Sequence, residues 1–156
     1  MRKQKITISV IGGSSISSKV ENLAEEVGKM IADLGCVLVC GGLGGAMEAA
    51  AKGAKKAGGI TIGILPGKEK DDANPYIDIA LPTSIGYARN TIVACSADIV
   101  IALPGSFGTS SEICYGLIYG RPIIDLGGWE KTGMILVKDL EEAEVKIRKI
   151  IKKLSE

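Results

Sequence analysis

The sequence predicts a single-domain α/β fold across residues 1–156, a Rossmann-like, doubly wound, mostly parallel sheet with helices on both faces. Three observations predict it. Short β-branched runs alternate with helix-patterned segments along the whole chain, with no repeat, linker or low-complexity stretch. Glycine clusters stand directly after several of these runs, at 12–13, 41–45 and 105–108. The 156 residues include only one Phe and one Trp, so the single core is aliphatic, as in a parallel sheet covered by helices.

Ile6 to Ile11 reads as the first strand and ends at Gly12-Gly13-Ser14-Ser15. Ser17 or Ser18 caps the next helix, Lys19 to Leu34, in which Val20, Leu23, Val27, Ile31 and Leu34 recur at helical spacing before Gly35 stops it. Val37 to Cys40 is a short buried strand leading into Gly41-Gly42-Leu43-Gly44-Gly45. Ala46 to Ala57 is an alanine-rich helix closed by Gly58-Gly59, and Ile60 to Leu65 a strand stopped by Pro66-Gly67. Lys68 to Pro75 is a surface loop, Ile77 to Leu81 a short strand, and Tyr87 to Ser96 helical. Ile99 to Leu103 is a strand, Thr109 to Tyr119 a helix, and Pro122 to Leu126 and Ile135 to Val137 are further strands. Leu140 to Leu154 closes the chain as an amphipathic helix.

Composition narrows the function. A net charge of +1, from 19 basic and 18 acidic residues, gives no electrostatic reason for nucleic acid or an anionic membrane as partner. No run reaches the roughly 18 apolar residues of a membrane helix, and the N-terminus lacks a signal-type apolar stretch, so the protein reads as soluble and cytoplasmic. The absence of histidine excludes Ser-His-Asp and Cys-His catalysis and histidine-held metals. Cys36, Cys40, Cys95 and Cys114 form no CxxC pair and read as reduced, buried thiols.

In doubly wound folds, ligands sit outside the carboxyl ends of the strands, near the point where strand order reverses. The three glycine clusters all follow strands and are predicted to share that edge. The strongest local signal is Pro104-Gly105-Ser106-Phe107-Gly108-Thr109-Ser110-Ser111-Glu112. Glycines let amide N–H groups converge there, and the helix start adds unpaired amides and a partial positive charge, so an anion is favoured. Read alone, the segment also fits a plain strand-to-helix turn with Thr109 as N-cap and Glu112 completing a capping box. The second loop in an equivalent position, Gly41 to Gly45, favours a phosphate cradle. Dinucleotide chemistry fits poorly, because the GxGxxG position after Gly42 and Gly44 holds Met47 and no acidic residue ends the second strand. The run Gly63 to Glu69 is one residue short of a Walker loop and lacks its Ser/Thr.

These residues resemble the LOG ("lysine decarboxylase-like") family, which releases a base from nucleoside 5′-monophosphates and carries a PGGxGTxxE signature. Pro104 to Glu112 matches that signature with Ser106 in place of the second glycine. Gly13-Ser14-Ser15 is similar to the family's first loop, and the run from Gly41, Gly42, Gly44 and Gly45 to Met47 to its middle cluster. Arg89-Asn90 stands where the family has arginine-lysine. The chain is closer still to short relatives of LOG, which molybdenum cofactor carrier proteins also resemble.

The resemblance implies a ligand site formed by those loops, Arg89, Asn90, and the signature residues Pro104, Gly105, Ser106, Phe107, Gly108, Thr109 and Glu112. It implies a small phosphorylated, nucleoside monophosphate-like ligand, no required cofactor beyond a bound nucleotide or phosphate, no metal, and a homodimer or higher oligomer. Two activities follow from it. In the first, N-glycosidic hydrolysis, Glu112 stabilises developing charge on the ribose while Arg89 forks onto the phosphate or orients Glu112. In the second, the protein carries a nucleotide-like cofactor such as molybdenum cofactor without turnover, as the changes at Asn90 and Ser106 favour. An Arg89–Glu112 salt bridge is the plain structural alternative for that pair. Asp98 is expected away from the site, Trp129 in a lid, a dimer contact or the core, and Lys146, Arg148, Lys149, Lys152 and Lys153 on a solvated face.

Overall fold

The computed structural model describes residues 4–156. Among these residues seven strands and five α-helices follow in the order β1 (Thr7–Ile11), α1 (Ser18–Asp33), β2 (Val37–Cys40), α2 (Ala46–Lys56), β3 (Thr61–Leu65), β4 (Ile79–Pro82), α3 (Arg89–Cys95), β5 (Ile99–Ala102), α4 (Phe107–Ile118), β6 (Ile123–Asp125), β7 (Ile135–Leu136) and α5 (Leu140–Leu154). The sheet runs β4-β3-β2-β1-β5-β6-β7, and every neighbouring pair is parallel. The expected fold class holds, with the sheet wholly rather than mostly parallel.

Strand β1 explains the two layers. Ile8 and Val10 are buried in one apolar cluster with Ala24, Val27 and Ile31 of α1, Ala50 of α2 and Ile147 of α5. Ile11 points the other way, into a cluster with Val93 of α3 and Ile113 of α4. Helices α1, α2 and α5 therefore cover one face and α3 and α4 the other. Within β1, Ser9 is buried and donates its hydroxyl to the carbonyl of Val93 at 2.5 Å, so it ties α3 to the sheet.

Local chemistry sets the ends. Ser17 is the N-cap of α1, accepting from Val20 N–H at 3.3 Å, and Asp139 caps α5, accepting from Glu142 N–H at 2.8 Å. Asp98 enters β5 at the amino edge of the sheet, where it accepts from Thr7 N–H at 2.9 Å, as far from the glycine loops as expected. Trp129 is a core anchor: its Nε1–H donates to the carbonyl of Leu103 at 3.0 Å and its ring packs on the second cluster. Asp125 holds the following turn by accepting from the N–H groups of Gly127, Trp129 and Glu130 at 2.9, 3.2 and 2.7 Å. On α5, Arg148, Lys149, Lys152 and Lys153 are exposed and Lys146 half-buried. No helix among the described residues is long and apolar enough to cross a membrane.

Two expectations need correction. Helix α4 begins at Phe107 with Ser106 in the N-cap position, not at Thr109. Thr109 is buried and turned back over Gly105, which removes its hydroxyl from capping, and Glu112 lies beyond the first turn, so no capping box forms. The thiols also divide: Cys36 and Cys40 are buried, Cys95 is half-buried and Cys114 exposed.

Candidate functional site

Strand order reverses at β1, whose neighbours are β2 and β5. The loops leaving these three strands meet at their carboxyl ends around a cavity of about 750 Å³. Gly12, Gly13 and Ser14 line it from the β1 loop, and Leu43 and Met47 from the β2 loop and α2. Tyr87, Ala88, Arg89 and Asn90 line it from the start of α3. Ser106, Phe107, Gly108 and Thr109, then Ser111, Glu112 and Tyr115, come from the head and inner face of α4.

Backbone bonds clamp the loops together. Gly13 N–H donates to the carbonyl of Pro104 at 2.9 Å, and Ala46 N–H donates to the carbonyl of Gly13 at 2.9 Å. This close approach dictates glycine at two positions. A Cβ on Gly105 would stand 2.1 Å from Thr109 Oγ1 and 2.9 Å from Gly13 N. A Cβ on Gly45, where φ is +68°, would stand 2.4 Å from the carbonyl oxygen of Gly13.

The sequence-derived residues thus separate into three groups. Gly13, Ser14, Met47, Arg89, Asn90, Ser106 to Thr109 and Glu112 share the cavity. Ser15 and Gly45 border a second cavity of about 450 Å³ that meets the first at Ser14. Gly41, Gly42, Gly44, Pro104 and Gly105 line neither. Of the cluster at 41–45 only Leu43 therefore reaches the main cavity, with Met47 beyond it, and the glycines do not line it as a ring of amides. Its Gly42 N–H is turned to Cys40 Sγ at 3.4 Å, and its Gly42 carbonyl accepts from Asn74 N–H at 2.9 Å. Leu43, Tyr87, Ala88, Ser111 and Tyr115 were not singled out from sequence. Ser111 and Tyr115 fall one turn apart on the face that carries Glu112, a spacing that could have found them.

Three amides head the cavity. The first bond of α4 runs from Ser110 N–H to the carbonyl of Ser106 at 3.0 Å, so the N–H groups of Phe107, Gly108 and Thr109 precede it without an intrahelical acceptor. They carry the positive end of the helix dipole. Arg89 is 7% exposed. Its Nε donates to the carbonyl of Ile64 at 2.9 Å, Nη2 to the carbonyl of Gly41 at 3.3 Å, and Nη1 to Asn90 Oδ1. Three of its five N–H donors are so engaged, which leaves two for a ligand. Asn90 Nδ2 donates to Ser111 Oγ at 3.3 Å, and Ser111 Oγ donates to the carbonyl of Gly108 at 2.6 Å, joining α3 to the head of α4.

Glu112 is the outlier. It is 7% exposed, faces the cavity, and has no hydrogen-bond or ion-pair partner among the described residues. The expected alternative of an Arg89–Glu112 salt bridge is not formed. Burial pushes the carboxyl up to about 8, against the weaker pull of the Arg89 guanidinium. Burial also lowers the pKa of Arg89, against the field of Glu112, yet a guanidinium stays protonated in any usable range. Behind Arg89, burial pushes the Cys40 thiol up to about 12, which makes it inert. No group of acidic or cysteine side chains among the described residues is arranged to hold a metal ion.

A family model described as LDcluster4, SLOG cluster4 family, matches residues 5–154. The chain belongs to the SLOG cluster4 family. This SLOG chain is 32% identical over 125 residues to a cytokinin riboside 5′-monophosphate phosphoribohydrolase of Mycobacterium tuberculosis, covering 74% of this chain and 67% of that protein. It is similar to the molybdenum cofactor binding protein of Rippkaea orientalis, with TM-score 0.89, 36% identity, and 96% of this chain and 99% of that one covered. The molybdenum cofactor carrier protein of Chlamydomonas reinhardtii aligns with TM-score 0.85, 32% identity, and the same 96% and 99% coverage. The LOG-like resemblance read from the loops therefore holds, and in the SLOG chain those loops gather at one sheet edge.

Proposed function

We propose that this protein binds a small phosphorylated, nucleotide-like ligand and holds it for delivery, without cleaving it as its principal task. The observation that carries the reading is a single cavity that joins the free amides of Phe107, Gly108 and Thr109 to the Arg89 guanidinium. Phosphate oxygens accept from the three amides and from the two remaining Arg89 donors, while Ser14 and Thr109 add hydroxyls. Glu112, neutral at pH 7 in the free protein, donates its O–H to an acceptor on the ligand and so receives the partner that the protein alone does not provide.

The similarity to a cofactor-binding and a cofactor-carrier protein over nearly their whole length supports delivery. One observation favours a second reading, hydrolysis of an N-glycosidic bond: an acid with a pKa near neutrality faces the cavity, where it can protonate a leaving base. The carboxylate that would stabilise a developing ribosyl cation is scarce at pH 7, which weighs against efficient turnover.

Thermal shift and base release divide these readings. AMP is expected to raise the melting temperature, and adenosine far less, because RT ln(1 + [L]/Kd) rewards the phosphate contact. Equal shifts from both compounds would remove the phosphate anchor from the proposal. Purified protein incubated with AMP is expected to release no adenine above a Glu112→Gln control; release abolished by that substitution would replace delivery with hydrolysis.

A further inference from the structure

The cavity has two chemically different ends. One is made of the buried Arg89 and the amides at the head of α4, which suit an anion. At its mouth stand two aromatic side chains with almost no protein around them: Phe107 is 91% exposed and Tyr87 is 87% exposed, yet both line the cavity. Phe107 is the only phenylalanine of the chain, and it occupies the first position of α4, where helix propensity gives no reason for an aromatic. Leaving both rings in water forgoes the free energy that burial of aromatic surface provides. They come from different elements, Tyr87 from the turn that leads into α3 and Phe107 from α4, so they flank one opening rather than form one helix stripe.

From this juxtaposition we infer that Phe107 and Tyr87 form a stacking platform for a planar heteroaromatic ring of the ligand, held at the mouth while its phosphate sits on the α4 amides. The inference rests on the proposed nucleotide-like reading and deepens it by naming the side chains that receive the ring. Phe107 connects both ends, since its own N–H belongs to the anion site and its ring to the platform. A volume of about 750 Å³ exceeds what phosphate alone fills and lies in the range of pockets that enclose nucleotide-sized ligands. Rings are read there by shape and polarisability, because every base or fused heterocycle has a π-face; Leu43 and Met47 add apolar wall. The platform therefore selects ring-bearing esters over sugar phosphates while remaining tolerant among rings.

Calorimetric titration of wild type, Phe107→Ala, Tyr87→Ala and Phe107→Trp with AMP, adenosine and ribose 5-phosphate tests this. Both alanine sites are exposed, so the variants are expected to fold. Phe107→Ala should weaken AMP about tenfold, within the range that one base–aromatic stack supports, and Phe107→Trp should restore it. Ribose 5-phosphate affinity should change less than about twofold in all variants. An equal loss for AMP and ribose 5-phosphate, or unchanged AMP affinity in both alanine variants, overturns the platform. So does a fall in oligomer mass on Phe107→Ala with AMP affinity intact, which would make the ring a contact between copies. Adenosine bound as tightly as AMP, and weakened by Phe107→Ala, would uphold the platform while removing the phosphate anchor. Wild type that binds neither AMP nor adenosine overturns the inference.

Discussion

Replacing Gly28 by alanine is expected to destabilise the protein by roughly 3 kcal/mol or more, at the upper end of what overpacking costs. Helices α1 and α2 cross in backbone contact. A Cβ on Gly28 would stand 1.8 Å from the carbonyl oxygen of Ala50 and 2.9 Å from Ala54 N. On the partner helix, a Cβ on Gly53 would stand 1.9 Å from the carbonyl oxygen of Glu25. These obstacles are backbone atoms, so no rotamer change relieves them, and the helices must separate. Separation also reaches the site, because α2 begins at Ala46, whose N–H is bonded to the Gly13 carbonyl in the cavity wall. Urea titration should show a lower midpoint with little change in slope, since the surface exposed on unfolding is nearly constant. Gly35→Ala is the control: φ there is +72° with nothing within 4 Å, so only backbone strain of about 1 kcal/mol is expected. A Gly28→Ala protein as stable as wild type would mean that the two helices are not locked in this contact.

That pair of glycines also marks where sequence reading stops. Strands and helices were legible because β-branched runs and helical periodicity are local properties, and β1, β2, α1 and α5 fall within a residue or so of their expected limits. Glycines were read as turns or as close approaches to a ligand. Gly28 and Gly53 serve neither; they let two helices touch, and that use depends on a partner absent from the local window. The start of α4 was misplaced for a related reason. Thr109 and Glu112 have the spacing of a capping box, but burial turns Thr109 onto Gly105 and Glu112 into the cavity. The sharing of one edge by the β1 and β5 loops followed from the parallel topology and was foreseeable. The part of the 41–45 loop was not, because only the three-dimensional crowding around Gly13 separates a glycine that frees an amide from one that makes room for a neighbour. The ionisation of Glu112 was equally illegible, since it depends on how much water the folded chain removes.

That ionisation leads to a measurable dependence of stability on pH. Burial raises the Glu112 carboxyl from the usual 4.5 to about 8. Between these values the native state holds a proton that the unfolded chain has lost. The unfolding free energy must then fall as pH rises, at up to about 1.4 kcal/mol per pH unit. Below the lower value both states are protonated and Glu112 adds no slope; above about 8 both are ionised and the full penalty of a buried carboxylate remains. Glu112→Gln keeps the shape and removes the proton, so its stability should be flat over the same window. The difference between the two proteins isolates Glu112, because Glu25 and Asp78, whose pKa values are lowered, complete their titration at more acid pH. Urea unfolding from pH 5 to 9 should show wild type losing several kcal/mol relative to Glu112→Gln. Ligand binding follows the same sign: an ionised Glu112 facing the cavity repels a phosphate dianion, so AMP affinity should decline above about pH 8 in wild type and not in the variant. Parallel stability profiles would show that the carboxyl is ionised throughout and bound to a partner, and the neutral donor assigned to Glu112 would have to be abandoned.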